Sequence, residues 1–353
     1  MFVLVTGVAG FIGSNFIYYI LEKHKDYRIV GLDKLTYAGN LENLSSLTDD
    51  CKSRFEFAKG DICDQELVTK LFSSFSFDAV INFAAESHVD RSIQDPHIFI
   101  KTNVLGTHIL LDCAKQSWLV NGTWADNKKF IQVSTDEVYG SLGPTGLFSE
   151  KTPLDPHSPY SASKAAADMI VKSYFDTFGM PVCITRCSNN YGPYQFPEKF
   201  IPLMIRNALL HKEIPVYGDG RQIRDWLFVE DHCRAIDMVL EKAKPGSVYN
   251  VGGNNEKENL EIVKTILAQL MSVTGDSLIG DNLIRHVTDR PGHDRRYGIE
   301  AIRIKNDLGW EPSVSFKEGI HRTIRWYLGN NNWMERVTSG EYMEFYERNY
   351  SCR

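Results

Sequence analysis

The chain reads as an α/β protein built on a doubly wound parallel sheet, with a smaller C-terminal lobe interleaved with it. Three observations predict this. Short β-rich runs alternate with helix-length segments up to about residue 190, a glycine cluster follows the first run directly, and an acidic residue closes the second.

The elements follow in order. "FVLVT" (2–6) is an apolar strand signal, and "FIGSNFIYYILEKH" (11–24) behind it has a helical pattern. "RIVGLD" (28–33), "FEFAKGD" (55–61), "DAVINFAA" (78–85), "KFIQVST" (129–135) and "PVCITR" (181–186) repeat the strand signal. The chain between them is long enough for crossover helices, so the strands are expected to be parallel. After about residue 190 the sequence becomes rich in Pro, Asn and aromatic residues ("SNNYGPYQFPEKFIP"), returns to a strand in "GSVYNVGG" (246–253), and ends in helical patterns through "EGIHRTIRWYLG" (318–329). The expected division is a first domain at 1–188, with 226–255 returning to it, and a second lobe at 189–225 and 256–353.

Composition narrows the function. With 353 residues, 43% hydrophobic and 24% charged, the chain can bury a large core. A net charge of -6 gives no broad attraction to nucleic acid, so an anionic small substrate would need a local cluster of Arg and Lys. The seven cysteines (Cys51, Cys63, Cys113, Cys183, Cys187, Cys233, Cys352) are odd in number and form no C-x-x-C, which suggests neither a disulfide framework nor a metal module and fits a reducing cytoplasm. No apolar run reaches membrane length, and the apolar N-terminus lacks a basic leader region, so no membrane partner is expected.

"TGVAGFIG" places Gly7, Gly10 and Gly13 between the first strand and the first helix. Such glycines permit a tight turn, close approach of a pyrophosphate to the backbone and close helix packing, while the helix N-terminus attracts phosphate. The sheet is therefore expected to be Rossmann-type, although a plain strand-helix turn would use the same glycines. Twenty residues past Gly13, Asp33 can accept a ribose 2'-hydroxyl and repel a 2'-phosphate, which favours NAD over NADP. Lys34 beside it is suited to the opposite role, and Asp61 in "KGDI" is a candidate for the adenine end.

In "SPYSASK", Tyr160 and Lys164 stand four apart and share a helix face, with Ser158 and Pro159 supplying a cap and a first-turn proline. An ammonium beside a phenol is expected to lower its pKa, so that Tyr160 works as a base on a sugar hydroxyl while Lys164 holds the nicotinamide ribose. "STDEVYG" (134–140) adds the adjacent acids Asp136 and Glu137. In a strand they would point to opposite faces, so they are expected just past its carboxyl end, where open α/β sheets bind substrates. Two carboxyl groups in different environments can run opposite proton transfers. Elimination of water from a sugar needs both: oxidation at C4 acidifies the C5 proton, a base removes it, an acid protonates the departing C6 hydroxyl, and the stored hydride returns to C6. A turn merely hydrogen-bonded by the two acids is the plainer alternative.

These motifs, with "DKLTYAGNLENL", "AAESHVDRSI", "SNNYGPYQFPEKFIPL", "PVYGDGRQIRDWLFVEDH", "YNVGGNNEKENLEIV", "DRPGHDRRY" and "LGWEP", resemble the dTDP-glucose 4,6-dehydratase family of the extended short-chain dehydrogenase/reductase superfamily almost end to end. The resemblance implies tightly bound NAD regenerated in each turnover, a nucleotide-sugar substrate and a homodimer in which the Tyr160 helix packs with the segment near 95–115. It assigns Tyr160 as the base for C4 oxidation, Asp136 as general acid, Glu137 as general base and Thr135 to the 4-hydroxyl. The cofactor would also touch Phe11, Ile12, Lys34, Leu35, Thr36, Asp61, Ile62, Phe83, Ala84, Ala85, Ser87, Thr102 and Asn190. The nucleotide-sugar would contact Ser87, Thr135, Asn189, Lys199, Phe200, Pro215, Val216, Tyr217, Arg224, Asn259, Asp289, Arg290, Pro291, Gly292 and His293. Arg224 and Arg290 suit a diphosphate, and Tyr217 suits stacking on a pyrimidine.

Two departures stand out from the family: Val8 replaces a second glycine, which the remaining turn glycines are expected to tolerate, and the loop from Gly140 to Pro159 is short. The competing readings are a UDP-glucose 4,6-dehydratase, a nucleotide-sugar 4-epimerase, which usually lacks the Asp-Glu pair, and a non-catalytic NAD-binding module.

Overall fold

The computed structural model describes residues 1–289 and 291–338. Its strands are β1 (Phe2–Thr6), β2 (Arg28–Asp33), β3 (Phe55–Lys59), β4 (Ala79–Asn82), a small hairpin of β5 (Leu119–Val120) and β6 (Thr123–Trp124), β7 (Lys129–Thr135) and β8 (Val182–Cys187). There follow β9 (Asn189–Tyr191), β10 (Ile214–Tyr217), β11 (Ile223–Phe228), β12 (Ser247–Val251), β13 (Glu256–Glu258) and β14 (Ile284–Val287).

Seven strands form one parallel sheet in the order β12-β8-β7-β4-β1-β2-β3. β4 and β8 are buried along their whole length, which is why they read as unbroken apolar runs: parallel strands are covered by helices on both faces. The chain order reverses at β1, which lies between β2 and β4, so the carboxyl ends of β1 and β4 flank the switch point where such sheets bind ligands.

Helices Phe11–Lys23 and Val229–Lys242 cover one face together with Val3, Val5, Ile29, Ile81 and Ile131. Gln65–Ser74, Thr107–Trp118 and Pro159–Phe178 cover the other with Leu4, Val30, Val80, Phe130 and Ile184. A separate core gathers Phe200–Leu209, Asn259–Thr274 and Phe316–Gly329 around Tyr191, Trp226 and Phe228, giving a second lobe. The helix Ile302–Leu308 lies within the 256–353 stretch of sequence, yet Ile304, Leu308 and Trp310 pack into the first core.

Val8 is fully buried in the first core. Its Cγ2 lies against Gly31, where an added Cβ would come within 2.9 Å. The branched side chain thus points into the packing beneath the turn. The 140–159 loop is fastened to the segment after the second lobe's β14: Leu142 N donates to Arg296 O (3.0 Å) and Phe148 N to Gly298 O (2.9 Å).

Candidate active site

A cleft of about 310 Å³ opens at the switch point. One wall is the glycine turn. Gly7 has φ +70, and a Cβ there would stand 2.7 Å from Ala84 N; a Cβ on Gly13 would fall 2.1 Å from Gly7 O. Both positions therefore need glycine on steric grounds. At Gly10, by contrast, a Cβ would meet only Gly7 O, at 3.3 Å. Gly10 is also the N-cap of helix Phe11–Lys23 and offers no side-chain acceptor, so the first-turn amides and the positive helix end face the cleft for a phosphate.

Asp33 ends β2 in this cleft, with Oδ2 accepting from Ala9 N (2.9 Å) and Oδ1 from Leu35 N (2.8 Å). Burial raises its carboxyl pKa against the lowering effect of those amides. It braces the glycine turn, and each oxygen keeps a lone pair for a ribose hydroxyl. Lys34 is engaged with Asp61 Oδ2 at 2.7 Å. Partial burial raises Asp61, but Lys34 and the Cys63 amide outweigh it and hold the carboxyl below its ordinary range. The cation suited to a 2'-phosphate is thus balanced by an acid just past the end of β3. The buried glycine cradle, the uncapped helix end and Asp33 together fit NAD.

The opposite wall carries the reactive set. β7 stops at Thr135, and residues Asp136–Tyr139 wind into a 3-10 turn whose N-cap is Thr135, its hydroxyl accepting from Glu137 N at 3.3 Å. The two acids do lie past the strand end. Glu137 lines the cleft, whereas Asp136 is 1% exposed beneath it. Thr135 Oγ1 approaches Asp136 Oδ1 at 3.4 Å, and Asp136 Oδ2 is buried with no hydrogen-bond partner. Burial, reinforced by the Glu137 charge, raises the Asp136 pKa well above its ordinary value, which favours the protonated form of this acid.

Ser158 and Pro159 start helix Pro159–Phe178 with a reciprocal Ser158–Ser161 capping box. The Tyr160 ring then packs on Phe99 and Val89. One expectation is corrected here. The phenol pKa is raised well above 10.0, by burial first and by the Glu137 charge second. Lys164, one turn away, instead donates to Val133 O at 2.7 Å, and its own pKa is lowered by burial. The strand-end carbonyl competes for the ammonium, which helical spacing alone could not reveal.

Below the turn lies a buried polar frame. Arg186 donates from Nε to Asp168 Oδ2 (2.9 Å) and from Nη1 to Tyr139 Oη (2.9 Å), and Tyr139 donates on to Asn250 Oδ1 (2.8 Å). It ties the end of the acid turn to β8, β12 and the Tyr160 helix, so those side chains are held without loop freedom.

Of the residues singled out by sequence, Gly7, Gly10, Phe11, Ile12, Gly13, Asp33, Lys34, Thr36, Asp61, Ile62, Phe83, Ala84, Ala85, Ser87, Thr102, Thr135, Glu137, Tyr160, Lys164, Asn189, Asn190 and Lys199 line this one cleft. Leu35 does not; it adopts φ 58 and serves Asp33 through its amide. Lys199 Nζ donates to Ser87 O (2.6 Å), joining the two lobes. Phe200 stacks on Trp226 and Val216 is buried in the second core, away from the cleft. Pro215 lies beside Val216 on β10, and Tyr217 ends that strand and donates to Asp90 Oδ2 (2.9 Å). Arg224 is buried, donating to Ile223 O and Asp294 O and lying over the Tyr297 ring. Asn259 begins helix Asn259–Thr274, its amide donating to Gln222 O. Asp289 binds Gln222 (2.9 Å) and His293 (2.6 Å), while Pro291 and Gly292 are exposed. Arg290 lies outside the described residues. Glu86, within the "FAAES" segment that the resemblance assigns to the cofactor, lines the cleft too, whereas sequence reasoning missed Val133, Ser134, Cys187, Ser188, Gln195, Phe196 and Glu198. The last three sit inside "YQFPEK", where the resemblance marks only Lys199.

The sheet order, the glycine cradle and the Thr-Asp-Glu and Tyr-Lys set define a class: short-chain dehydrogenase/reductases of the extended, two-lobed type. A family model described as GDP-mannose 4,6 dehydratase matches residues 4–323. The dTDP-glucose 4,6-dehydratase of Xanthomonas campestris pv. campestris is 54% identical over 342 residues, covering 96% of each chain. Among solved structures, the dTDP-glucose 4,6-dehydratase of Bacillus anthracis in complex with NAD superposes with a TM-score of 0.84 at 49% identity, covering 96% of this chain and 99% of that one. The Streptomyces venezuelae dTDP-glucose 4,6-dehydratase, solved with NAD and TDP, gives 0.86 at 43% identity, covering 96% and 100%. The chain belongs to the dTDP-glucose 4,6-dehydratase family.

Proposed function

We propose that this chain is a hydro-lyase converting dTDP-glucose to dTDP-4-keto-6-deoxyglucose and water, with no net redox change. The observation that carries the chemistry is the placement of two adjacent acids in opposite environments, Asp136 buried, with its pKa pushed up by burial and by its neighbour's charge, and Glu137 lining the cleft. One group can give a proton while its neighbour takes one.

NAD, held by the glycine turn, Asp33 and Ile62, would supply the acceptor for the C4 hydride and its donor back to C6. Tyr160 takes the 4-hydroxyl proton, with Thr135 hydrogen-bonding that hydroxyl. Burial and the Glu137 charge both oppose the phenolate, so Lys164 is needed as the compensating positive charge. Glu137 removes the C5 proton, now acidified by the C4 ketone. Asp136 protonates the departing 6-hydroxyl, and water leaves. The nucleotide-sugar extends toward the second lobe, where Asn189, Lys199, Tyr217, Arg224, Asn259 and the segment 289–293 are proposed to receive it.

Incubation of the purified protein, without added NAD, with dTDP-glucose and separately with UDP-glucose tests the reading by mass spectrometry. Loss of one water from dTDP-glucose, faster than from UDP-glucose, is expected. A faster UDP-glucose reaction would reassign the base, and a product of unchanged mass would favour an epimerase.

We also infer a cytoplasmic homodimer. The six described cysteines are free thiols, as a reducing compartment allows. Helix Pro159–Phe178 and the segment 96–118 pack side by side, with Asn103 Nδ2 on Ser163 Oγ (2.8 Å), and turn Ile100, Leu105, Met169 and Phe178 outward. Such a paired-helix apolar face suits a second copy.

A further inference from the structure

The acid turn, the start of the Tyr160 helix and the segment after β14 meet at one pair of side chains, Asp294 and His157. Asp294 is buried and uses both carboxylate oxygens: Oδ1 accepts from His157 Nδ1 at 2.6 Å, and Oδ2 accepts from Tyr297 Oη at 2.6 Å. Its main-chain oxygen accepts from Arg224 Nη2 at 2.8 Å. His157 directly precedes the Ser158 cap of the helix that carries Tyr160.

The segment that ends in this histidine is bonded to the turn that carries the two acids, and the ring lies near the Gly140 cap of that turn. Asp155 N donates to Val138 O (3.1 Å), and a Cβ on Gly140 would come within 2.4 Å of Asp155 O and 3.4 Å of the His157 ring. A second seam runs parallel to it, with Arg295 N donating to Ser141 Oγ (3.1 Å) and Leu142 N to Arg296 O (3.0 Å). Tyr297 and Arg224, the other partners of Asp294, are also the groups whose charges couple to Glu137 and Asp136 respectively. Nothing in the dehydration chemistry itself requires this contact, and residues 157 and 294 lie far apart in the chain.

We propose that Asp294, acting through His157, is a positioning residue that couples the seating of segment 294–297 to the geometry of the Asp136–Glu137 turn and the Tyr160 helix. The inference rests on the dehydratase reading, since it concerns how a substrate engaged by the second lobe is held in register with the acids. With one carboxylate oxygen braced by Tyr297 of its own segment and the other on His157, Asp294 passes a shift of that segment on to the start of the Tyr160 helix, and misplacement by about 1 Å can cost on the order of a hundredfold in rate.

The test compares His157→Ala, His157→Asn and Asp155→Asn with the parent protein, measuring kcat and KM for dTDP-glucose, bound NAD and thermal midpoint. His157→Ala is expected to lower kcat about ten- to a hundredfold with KM, NAD content and midpoint little changed. Asn places an amide nitrogen where Nδ1 stood, so His157→Asn should recover most of the loss. Asp155, 83% exposed and 3.6 Å from the far ring nitrogen, should be dispensable. Parent-level kcat in His157→Ala would overturn the inference, as would equal losses in the Ala and Asn variants accompanied by a fall in midpoint. Absence of water loss with the parent protein would instead refute the dehydratase reading itself.

Discussion

Asp136 and Glu137 differ by one position and by almost their whole environment. Glu137 faces the cleft, while Asp136 is sealed beneath it with its pKa raised by burial and by its neighbour's charge. The folded pKa lies above the unfolded one, so both the proton-donating form and its contribution to stability are present at low pH and are lost as pH rises through the folded value. The alkaline limb of the kcat profile is therefore expected to report Asp136. Asp136→Asn should lower kcat by about 10²–10⁴ and abolish that limb; a variant that keeps it would assign it elsewhere. Glu137→Gln should suppress exchange of the C5 hydrogen with deuterated solvent, read by mass spectrometry, and undiminished exchange would contradict its role as base.

The glycine turn, the strand-end acids and the helix cap were legible at the level of elements because each answers a local demand. Gly7 and Gly13 are dictated by backbone atoms that an added Cβ would meet at 2.7 and 2.1 Å, and Ser158-Pro159 by the first turn of a helix. Gly13→Ala should accordingly cost more than a helix propensity term, abolishing retention of NAD through purification. Ser158→Ala removes one cap and should lower stability by about 1 kcal/mol, seen in a denaturant midpoint. What sequence could not show depends on partners distant in the chain. Lys164 is diverted to Val133 O, and Gln195, Phe196 and Glu198 reach the cleft from a loop whose position is set by the second core. Positions 215–217, marked by resemblance, lie on β10, whose pairing with β14 no local pattern announces.

At the scale of the molecule, the two lobes share buried groups that also set its pH tolerance. His232, in the helix Val229–Lys242, is fully buried against Asn190 Oδ1 (2.9 Å), and desolvation holds its pKa at about 3. The unfolded chain takes up this proton first, from about pH 6.5 downward, so stability falls as pH drops from there toward 3. His232→Asn should flatten that part of the acid-unfolding curve, and an unchanged curve would show the histidine to be silent. The proposed dimer is checked by light scattering: Met169→Glu should shift a dimer to monomer, whereas a monomeric parent would refute the interface.

In the proposed reaction hydride leaves C4 and returns to C6 of the same sugar, and Glu137 and Asp136 remove water between the two transfers. Deuterium placed at C4 of dTDP-glucose follows this directly. The expected product carries that deuterium at C6, with solvent hydrogen at C5. Label retained at C4 in a product of unchanged mass, or washed into solvent, would contradict it.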